Sequence, residues 1–480
     1  MTSAADRRAT LIILDGACAD VFADLVAACE LTSISRHLLA SGGITPATTV
    51  FPSTTGVAYL PFLTGCYPGT CDIPGIRWLD VARYGGRWWR DRAHVRSYCG
   101  LQAGLINHDL PHQMPTLFDL EPDSVALCSP FKRGLAPDRD RVRLGRTVWG
   151  GIAHYTAGYG VLERAVGREL CRVAAERHRF VFAVFPGVDG VTHFWDPQHP
   201  DVLSMYREFD DIIGDYAAAG GFDGDNLTLL VSDHGLARVD RHTDISIELE
   251  AIGLPVLRHP VIWRREPKAA VMVSGNGSVQ VYLRPGVTRS ERYTITQIER
   301  GGVDGVPTFL PRYLASLPGV AMVVGTDGPG LCLISRSGRA RLLADGDGHI
   351  RYAPETADVL RLGGGGVHTE REWLERTLDT PFPDAPAQLF QVFRSRRAGD
   401  LVVVAEAGSD LRLDWEIPEH HSGHGSLIAD HMRCLVACNM PIAGPVRTVD
   451  LFPLILEYLD IPVPQEIDGV APRLGAVRRT

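Results

Sequence analysis

Long apolar runs are missing from this chain. No stretch approaches the roughly 18 uninterrupted apolar residues of a membrane-spanning helix, and the run near the N-terminus, Leu11 to Leu14, is too short for the core of a signal peptide. A soluble cytoplasmic protein without a membrane span is the expectation. Runs of like charge are missing too: 48 Lys+Arg stand against 57 Asp+Glu, a formal net charge of −9. That balance gives no footprint for a nucleic-acid polymer or a membrane surface. The ten cysteines are scattered singly with no Cys-x-x-Cys pair, which reads as thiols in a reducing compartment rather than a disulfide framework. There is no internal repeat and no low-complexity tract.

What is present fits a large α/β protein. A chain of 480 residues suits one large domain with an insertion, or two domains. Three runs, Thr10–Leu14, Phe180–Phe185 and Leu227–Val231, are apolar without alternation, as strands buried on both faces are. Helical patterns separate them, so a mostly parallel sheet flanked by helices is expected. Each run is followed within about four residues by an acidic residue, at the strand end where ligands gather in such sheets. From residue 245 to 410 the texture changes to strands and tight turns. Examples are Gly275-Asn276-Gly277 before Ser278–Tyr282, and Asp345-Gly346-Asp347-Gly348 after Arg339–Leu343. The Asp345 turn has Thr356 where a calcium loop needs Glu, and reads as a hairpin; Gly363 to Gly366 reads as a loop. We therefore expect a core made of residues 1–244 and 411–480, with 245–410 as an inserted, smaller α+β subdomain. The last stretch returns to the core with a strand at Cys434–Ala437 and a helix opened by Thr448 or Asp450.

Candidate chemical groups lie at the ends of these runs. Asp15 follows the first strand, and Gly16 lets the backbone turn there. Phe51-Pro52-Ser53-Thr54-Thr55 leads into a helix that Pro61 must keep short or kinked, so a Ser or Thr hydroxyl would sit at a helix N-terminus. Asp189 and His193 are four apart and share one face of a helical turn. Asp233 and His234 are adjacent, with Gly235 supplying a bend. His420, His421 and His424 crowd one polar loop. Asp and His together form a donor set suited to zinc, and also to manganese or iron.

Taken in order, these residues resemble the type I phosphodiesterase/nucleotide pyrophosphatase branch of the alkaline phosphatase superfamily, over residues 10–240 and 410–470. The resemblance rests on Phe51-Pro52-Ser53-Thr54-Thr55 followed by Thr64-Gly65, on Asp189-x-x-x-His193, on Ser232-Asp233-His234-Gly235, and on His424-Gly425. The segment from Val446 to Pro453 and on through Asp468-Gly469 adds to it. An alkaline-phosphatase-like fold is implied. So is a nucleophile at Thr55, with one zinc held by Asp189, His193 and His424 and the other by Asp15, Asp233 and His234 beside Thr55. The implied reaction is hydrolysis of a small phosphate ester, most simply a diester, through a phosphothreonine intermediate. A phosphomonoesterase, a phosphonate hydrolase and a non-catalytic metal-bound binding protein are the alternatives. The chain departs from the family in two places. Cys71-Asp72 stands where a His-Gly is usual, and the phosphoryl-binding asparagine would fall near Ile76, where Arg77 is the nearest donor. Trp88, Trp89 and Trp195 are candidates for stacking on a substrate ring. The oligomeric state is not written in the sequence.

Overall fold

The computed structural model describes residues 6–258, 266–414 and 419–475; the side chains of Trp88 and Trp89 lie outside the described set. Two sheets organise it. The first has seven strands. Its centre is Arg8–Leu14 (β1), flanked by Phe180–Phe185 and Asn226–Val231, with Ser124–Leu127 (β2) beyond the former; Phe180–Phe185 is β3 and Asn226–Val231 is β4. These four run parallel, in register from Ala9 opposite Phe180 to Leu14 opposite Phe185. Val436–Cys438 adds an antiparallel strand beside β4.

The parallel strands read as continuous apolar runs because both faces are covered. Ala9, Leu11 and Ile13 enter one core, while Ile12 and Leu14 enter the other. The helices Ala19–Ala27 (α1), Leu60–Thr64 (α2), Arg143–Thr156 (α3), Gly160–Glu176 (α4), Gly187–Thr192 (α5), Pro200–Ala218 (α6) and Leu451–Tyr458 (α7) surround this sheet. α2 and α7 pack on the face of Leu11, and α1, α4 and α6 on that of Ile12. Each fully buried Leu, Ile or Phe in these layers contributes about 1.5–3 kcal/mol.

The second sheet has nine strands, all from residues 256–405. Its second to fourth strands are Ala269–Ser274 (β5), Ser278–Leu283 (β6) and Leu401–Ala405 (β7), paired antiparallel. β5 and β6 form the hairpin expected around Gly275-Asn276-Gly277, with φ of 56° and 61° at Gly275 and Asn276. Gly338–Asp345 and His349–Pro354 form the hairpin at the Asp345 turn. Among the described residues no helix is long and apolar enough to cross a membrane.

Two local expectations are corrected. The strand expected at Cys434–Ala437 is broken at Leu435, whose N–H donates to Ser232 Oγ (2.8 Å) while its carbonyl accepts from Ser232 N (2.9 Å). Arg433–Cys434 pairs with Ala47–Thr48 instead, and only Val436–Cys438 joins the central sheet. Asp450 does precede α7, but its carboxylate does not cap the helix: it accepts from Arg447 N (2.9 Å) and Val470 N (3.0 Å).

Candidate active site

Because β4, β1 and β3 are parallel neighbours, their carboxyl ends deliver three acidic residues to one place. Asp15 follows β1 directly. Asp233 and His234 follow β4, and α5, after β3, carries Asp189 with His193 at its end. Backbone bonds tie these ends together, from Asp15 N to Phe185 O and from Asp189 N to Asp15 O, both 3.0 Å. Gly16 is required here. It has φ of +68°, and a Cβ on it would come within 2.8 Å of Asp189 Cβ and 2.5 Å of Leu236 Cδ1. Its N–H donates to Asp233 Oδ1 (3.2 Å).

Thr55 faces this group. Its hydroxyl oxygen lies 2.9 Å from His234 Nε2 and 3.3 Å from Asp15 Oδ1. The segment before it is anchored on the second sheet's side: Phe51 is buried among Met322, Val404 and Leu427, and its N–H donates to Gln388 Oε1 (3.0 Å). The helix N-terminus expected at Ser53–Thr55 is not there. Gly56 (φ +85°) and a 3-10 turn, Val57–Tyr59, separate Thr55 from the five-residue α2, and Ser53 Oγ donates instead to Ser426 O (2.9 Å). The hydroxyl is thus positioned by a loop pinned on both sides.

The histidines are oriented by backbone carbonyls. His193 Nδ1 faces Ser422 O (3.0 Å), His424 Nδ1 faces Ser53 O (3.1 Å) and His234 Nδ1 faces Gly235 O (3.2 Å). A carbonyl only accepts, so each Nδ1 carries a proton, and Nε2 is the atom each neutral imidazole turns to the centre as a ligand. There, His234 Nε2 lies 3.3 Å from Asp233 Oδ2 and 3.7 Å from Asp15 Oδ1. His424 Nε2 lies 3.8 Å from Asp189 Oδ1, and His193 Nε2 lies 3.4 Å from Asp189 Oδ2.

Two sets of donor atoms lie within 4.8 Å of one another: Asp15, Asp233 and His234, and Asp189, His234 and His424. His234 belongs to both, and His193 stands at the edge of the second. Among the three histidines of the loop, His424 reaches the group. His421 is exposed, and His420 stacks on the His193 ring at 4.2 Å.

The electrostatics call for cations. Burial, then Asp233 and Asp189, push the Asp15 carboxyl well above the carboxylate range, and burial with Asp189 pushes Asp233 up to about 7. Burial acts on Asp189 in the same direction, but His193 and its neighbours outweigh it and hold that carboxyl low, while the Asp189 carboxylate lifts His193 to about 9 against burial. Burial lowers His234 and His424. Three carboxylates cannot all ionise in so dry a space without positive charge. Two of their oxygens, Asp189 Oδ1 and Asp233 Oδ2, are buried with no hydrogen-bond partner. Orphaned carboxylate oxygens beside lone-pair imidazole nitrogens fit divalent cations.

Beyond these residues opens a cavity of about 340 Å³, lined by Thr55, Asp189, His193 and His424 on one side and by Tyr98, Ile106, Arg146 and Tyr159 among others. Arg77 lines it too and donates from Nη1 to Val273 O (3.4 Å). Trp195 stacks on His199 (4.3 Å) and is not among the lining residues. Two further residues belong to the site. The buried Tyr59 hydroxyl donates to Asp15 Oδ2, and burial, then Asp15, keeps that phenol protonated; nothing local in the sequence marks it, since no regular helical turn joins it to Thr55. Asn276 also lines the cavity, although in the sequence it reads only as a hairpin residue.

Comparison with known proteins gives a family and a fold. The family model described as type I phosphodiesterase/nucleotide pyrophosphatase matches residues 9–285. No curated protein matches the sequence. A phosphonoacetate hydrolase from Sinorhizobium meliloti 1021, solved with phosphonoformate, superposes with a TM-score of 0.56 at 15% identity, over 95% of this chain and 96% of its own. Human ectonucleotide pyrophosphatase/phosphodiesterase 5 superposes with a TM-score of 0.60 at 12% identity, over 96% and 97%. An inactive murine form of the latter, solved in complex with AMP, gives 0.55 at 12% identity, over 96% and 97%. At these identities the likeness is one of fold, the alkaline-phosphatase-like α/β fold. The chain belongs to the type I phosphodiesterase/nucleotide pyrophosphatase family of the alkaline phosphatase superfamily and is a phosphoester hydrolase.

Proposed function

We propose that this protein hydrolyses small phosphate diesters with Thr55 as nucleophile and two divalent cations. The observation that carries the reading is the convergence of Thr55 Oγ on His234 Nε2 and Asp15 Oδ1 beside the orphaned oxygens of Asp233 and Asp189. Asp15, Asp233 and His234 would hold one cation next to Thr55, and Asp189, His193 and His424 the other. His234 stands close enough to the second group to share in it. The mixed Asp/His donor set favours zinc, with manganese or iron as the other ions it accepts. Bound there, the cations would lower the pKa of the hydroxyl and neutralise charge on the phosphoryl oxygens.

The residues do the rest. Thr55 gives its proton to solvent and its Oγ attacks phosphorus in line; the Oγ–P bond forms as the bond to the leaving group breaks, and the leaving alkoxide takes a proton from solvent. Water then displaces Oγ, releasing the phosphate monoester and restoring the hydroxyl. Two displacements retain configuration at phosphorus. Tyr59 fixes the outer oxygen of Asp15, and the three carbonyls facing Nδ1 fix the imidazoles. Asn276 and Arg77, both on the cavity wall, would bind the non-bridging phosphoryl oxygens, the task the family gives to an asparagine near position 76.

Initial rates on bis(p-nitrophenyl) phosphate and p-nitrophenyl phosphate test the reading: diester preference supports it, and a strong monoester preference contradicts it. Arg146 on the cavity wall favours one second reading, a phosphonate hydrolase whose substrate carries another anion. Turnover of phosphonoacetate in strong preference to either ester would establish that alternative.

A further inference from the structure

Three tyrosines line the catalytic cavity, and the hydroxyls of two are engaged. Tyr59 donates to Asp15 Oδ2, and Tyr98 donates to Asp109 Oδ2 (3.0 Å) while accepting from Trp78 Nε1 (2.9 Å). The third, Tyr159, is only 7% exposed, yet among the described residues its hydroxyl has no hydrogen-bond partner. A buried phenol normally finds one. Nor is its oxygen sealed off as Asp189 Oδ1 is, so it opens to the cavity. Packing alone would be served as well by Phe.

The fold builds a seat for this ring. Tyr159 stands at the head of α4, where its N–H donates to Ala157 O (2.9 Å) and its carbonyl accepts from Leu162 N (2.9 Å) and Glu163 N (3.0 Å). One turn further on, Glu163 accepts from Gly187 N at the start of α5 (2.9 Å). Towards α4, α5 turns two glycines. A Cβ on Gly187 would lie 2.8 Å from Glu163 Cδ, and one on Gly190 would overlap Tyr159 Cζ and lie 2.5 Å from the hydroxyl oxygen. Glycine at 190 thus lets the phenol lie against the backbone beside Asp189. Burial, then Asp189, Asp15 and Glu163, hold the phenol well above its ordinary range, so the group presented there is a neutral donor.

A phosphoryl group that comes to cations held by Asp189, His193 and His424 brings its oxygens to this hydroxyl. Those oxygens are charged acceptors, for which a neutral O–H is a strong partner. We propose that Tyr159 is a substrate-binding residue whose O–H donates to a non-bridging phosphoryl oxygen from the Asp189 side of the site. The proposal rests on the reading of this cavity as the seat of the phosphoryl group, and not on which ester is cleaved.

Calorimetric titration of the metal-loaded full chain with inorganic phosphate tests it. Tyr159→Phe keeps the ring and deletes the hydroxyl. It should weaken phosphate binding by about ten- to hundredfold and lower kcat/KM on bis(p-nitrophenyl) phosphate by at least as much, with the thermal midpoint and the bound metal unchanged. A variant that binds phosphate as the wild type does overturns the proposal, as does a metal-loaded wild type that takes up no phosphate. So does a variant that loses bound metal or thermal midpoint, since the hydroxyl would then serve the fold or the cations and not the substrate. Because phosphate binding is read without turnover, a wild type that holds phosphate through Tyr159 but leaves the diester intact contradicts the phosphodiesterase reading and not this one.

Discussion

At the ends of β4, β1 and β3 the chain leaves the first sheet through Asp233, Asp15 and Asp189 in turn. The second sheet sends one hairpin, Gly275 to Gly277, into the same cavity. Parallel strands all finish on one side, so their following loops gather there and a carboxylate after each strand meets the others. Antiparallel strands finish on alternate sides, and a hairpin reaches the site only where packing aims it. Here it is aimed by a bridge between Asn276 and His424, by Gly277 N donating to His424 O (2.8 Å), and by Ser274 Oγ accepting from Ile76 N (3.2 Å). The first sheet thus supplies chemistry, and the second supplies position.

That division can be broken by experiment. The largest effect belongs to the first sheet. Asp233→Asn should lower kcat/KM on bis(p-nitrophenyl) phosphate by about a thousandfold and reduce bound metal by elemental analysis; a loss no greater than that of the hairpin variants would undo the contrast.

Next comes the buttress. Gln391 donates to Phe51 O and accepts from Gly69 N (3.0 Å), fully buried. Gln391→Ala leaves both backbone groups unpaired and should destabilise the fold by about 2–4 kcal/mol, seen as a lower thermal midpoint with activity reduced severalfold. Asn276→Gly keeps the positive φ while deleting the amide. It should cost about tenfold in kcat/KM, near 1.4 kcal/mol, with the thermal midpoint little changed.

The smallest effect is one of pH. Glu163 is buried on α4, accepts from Gly187 N at the start of α5 (2.9 Å), and burial raises its carboxyl to about 8. The folded state therefore holds this proton where the unfolded chain has released it. The contribution is fully present below the unfolded pKa near 4.5 and is lost as pH rises towards 8. Glu163→Gln should remove that loss, so unfolding free energies compared across one pH unit above about pH 5 should move in the variant's favour by about 1 kcal/mol. An unchanged difference across the range would show that Glu163 ionises freely in the fold.

How much of this is legible in the sequence follows the same division. The three apolar runs and their trailing acids read correctly because doubly buried strands allow little else, and Asp189 with His193 follows from the helical turn. The partners that depend on distant packing do not read. Nothing local marks Asn276 as a cavity residue, since its Gly-Asn-Gly context is explained by the turn alone. Thr55 reads as a helix cap because nothing in the sequence announces the 3-10 turn that separates it from α2. In α3, Leu144, Val148, Ile152 and Tyr155 form an exposed apolar stripe that no contiguous run announces, since the helix spaces them and their exposure is set by which side packs on α4. The fold of the first sheet is thus largely written in short-range pattern, and the wall of the site is not.

The central claim is that Thr55 takes the phosphoryl group. Rapid acid quench of the wild type with a diester substrate, followed by mass analysis of the peptide carrying Thr55, tests it most directly. The account predicts a transient phosphoryl adduct on Thr55, absent in Thr55→Ala, together with at least a thousandfold loss of turnover in that variant, an order-of-magnitude figure for removing a nucleophile. Turnover that survives Thr55→Ala, with no adduct in the wild type, would contradict it.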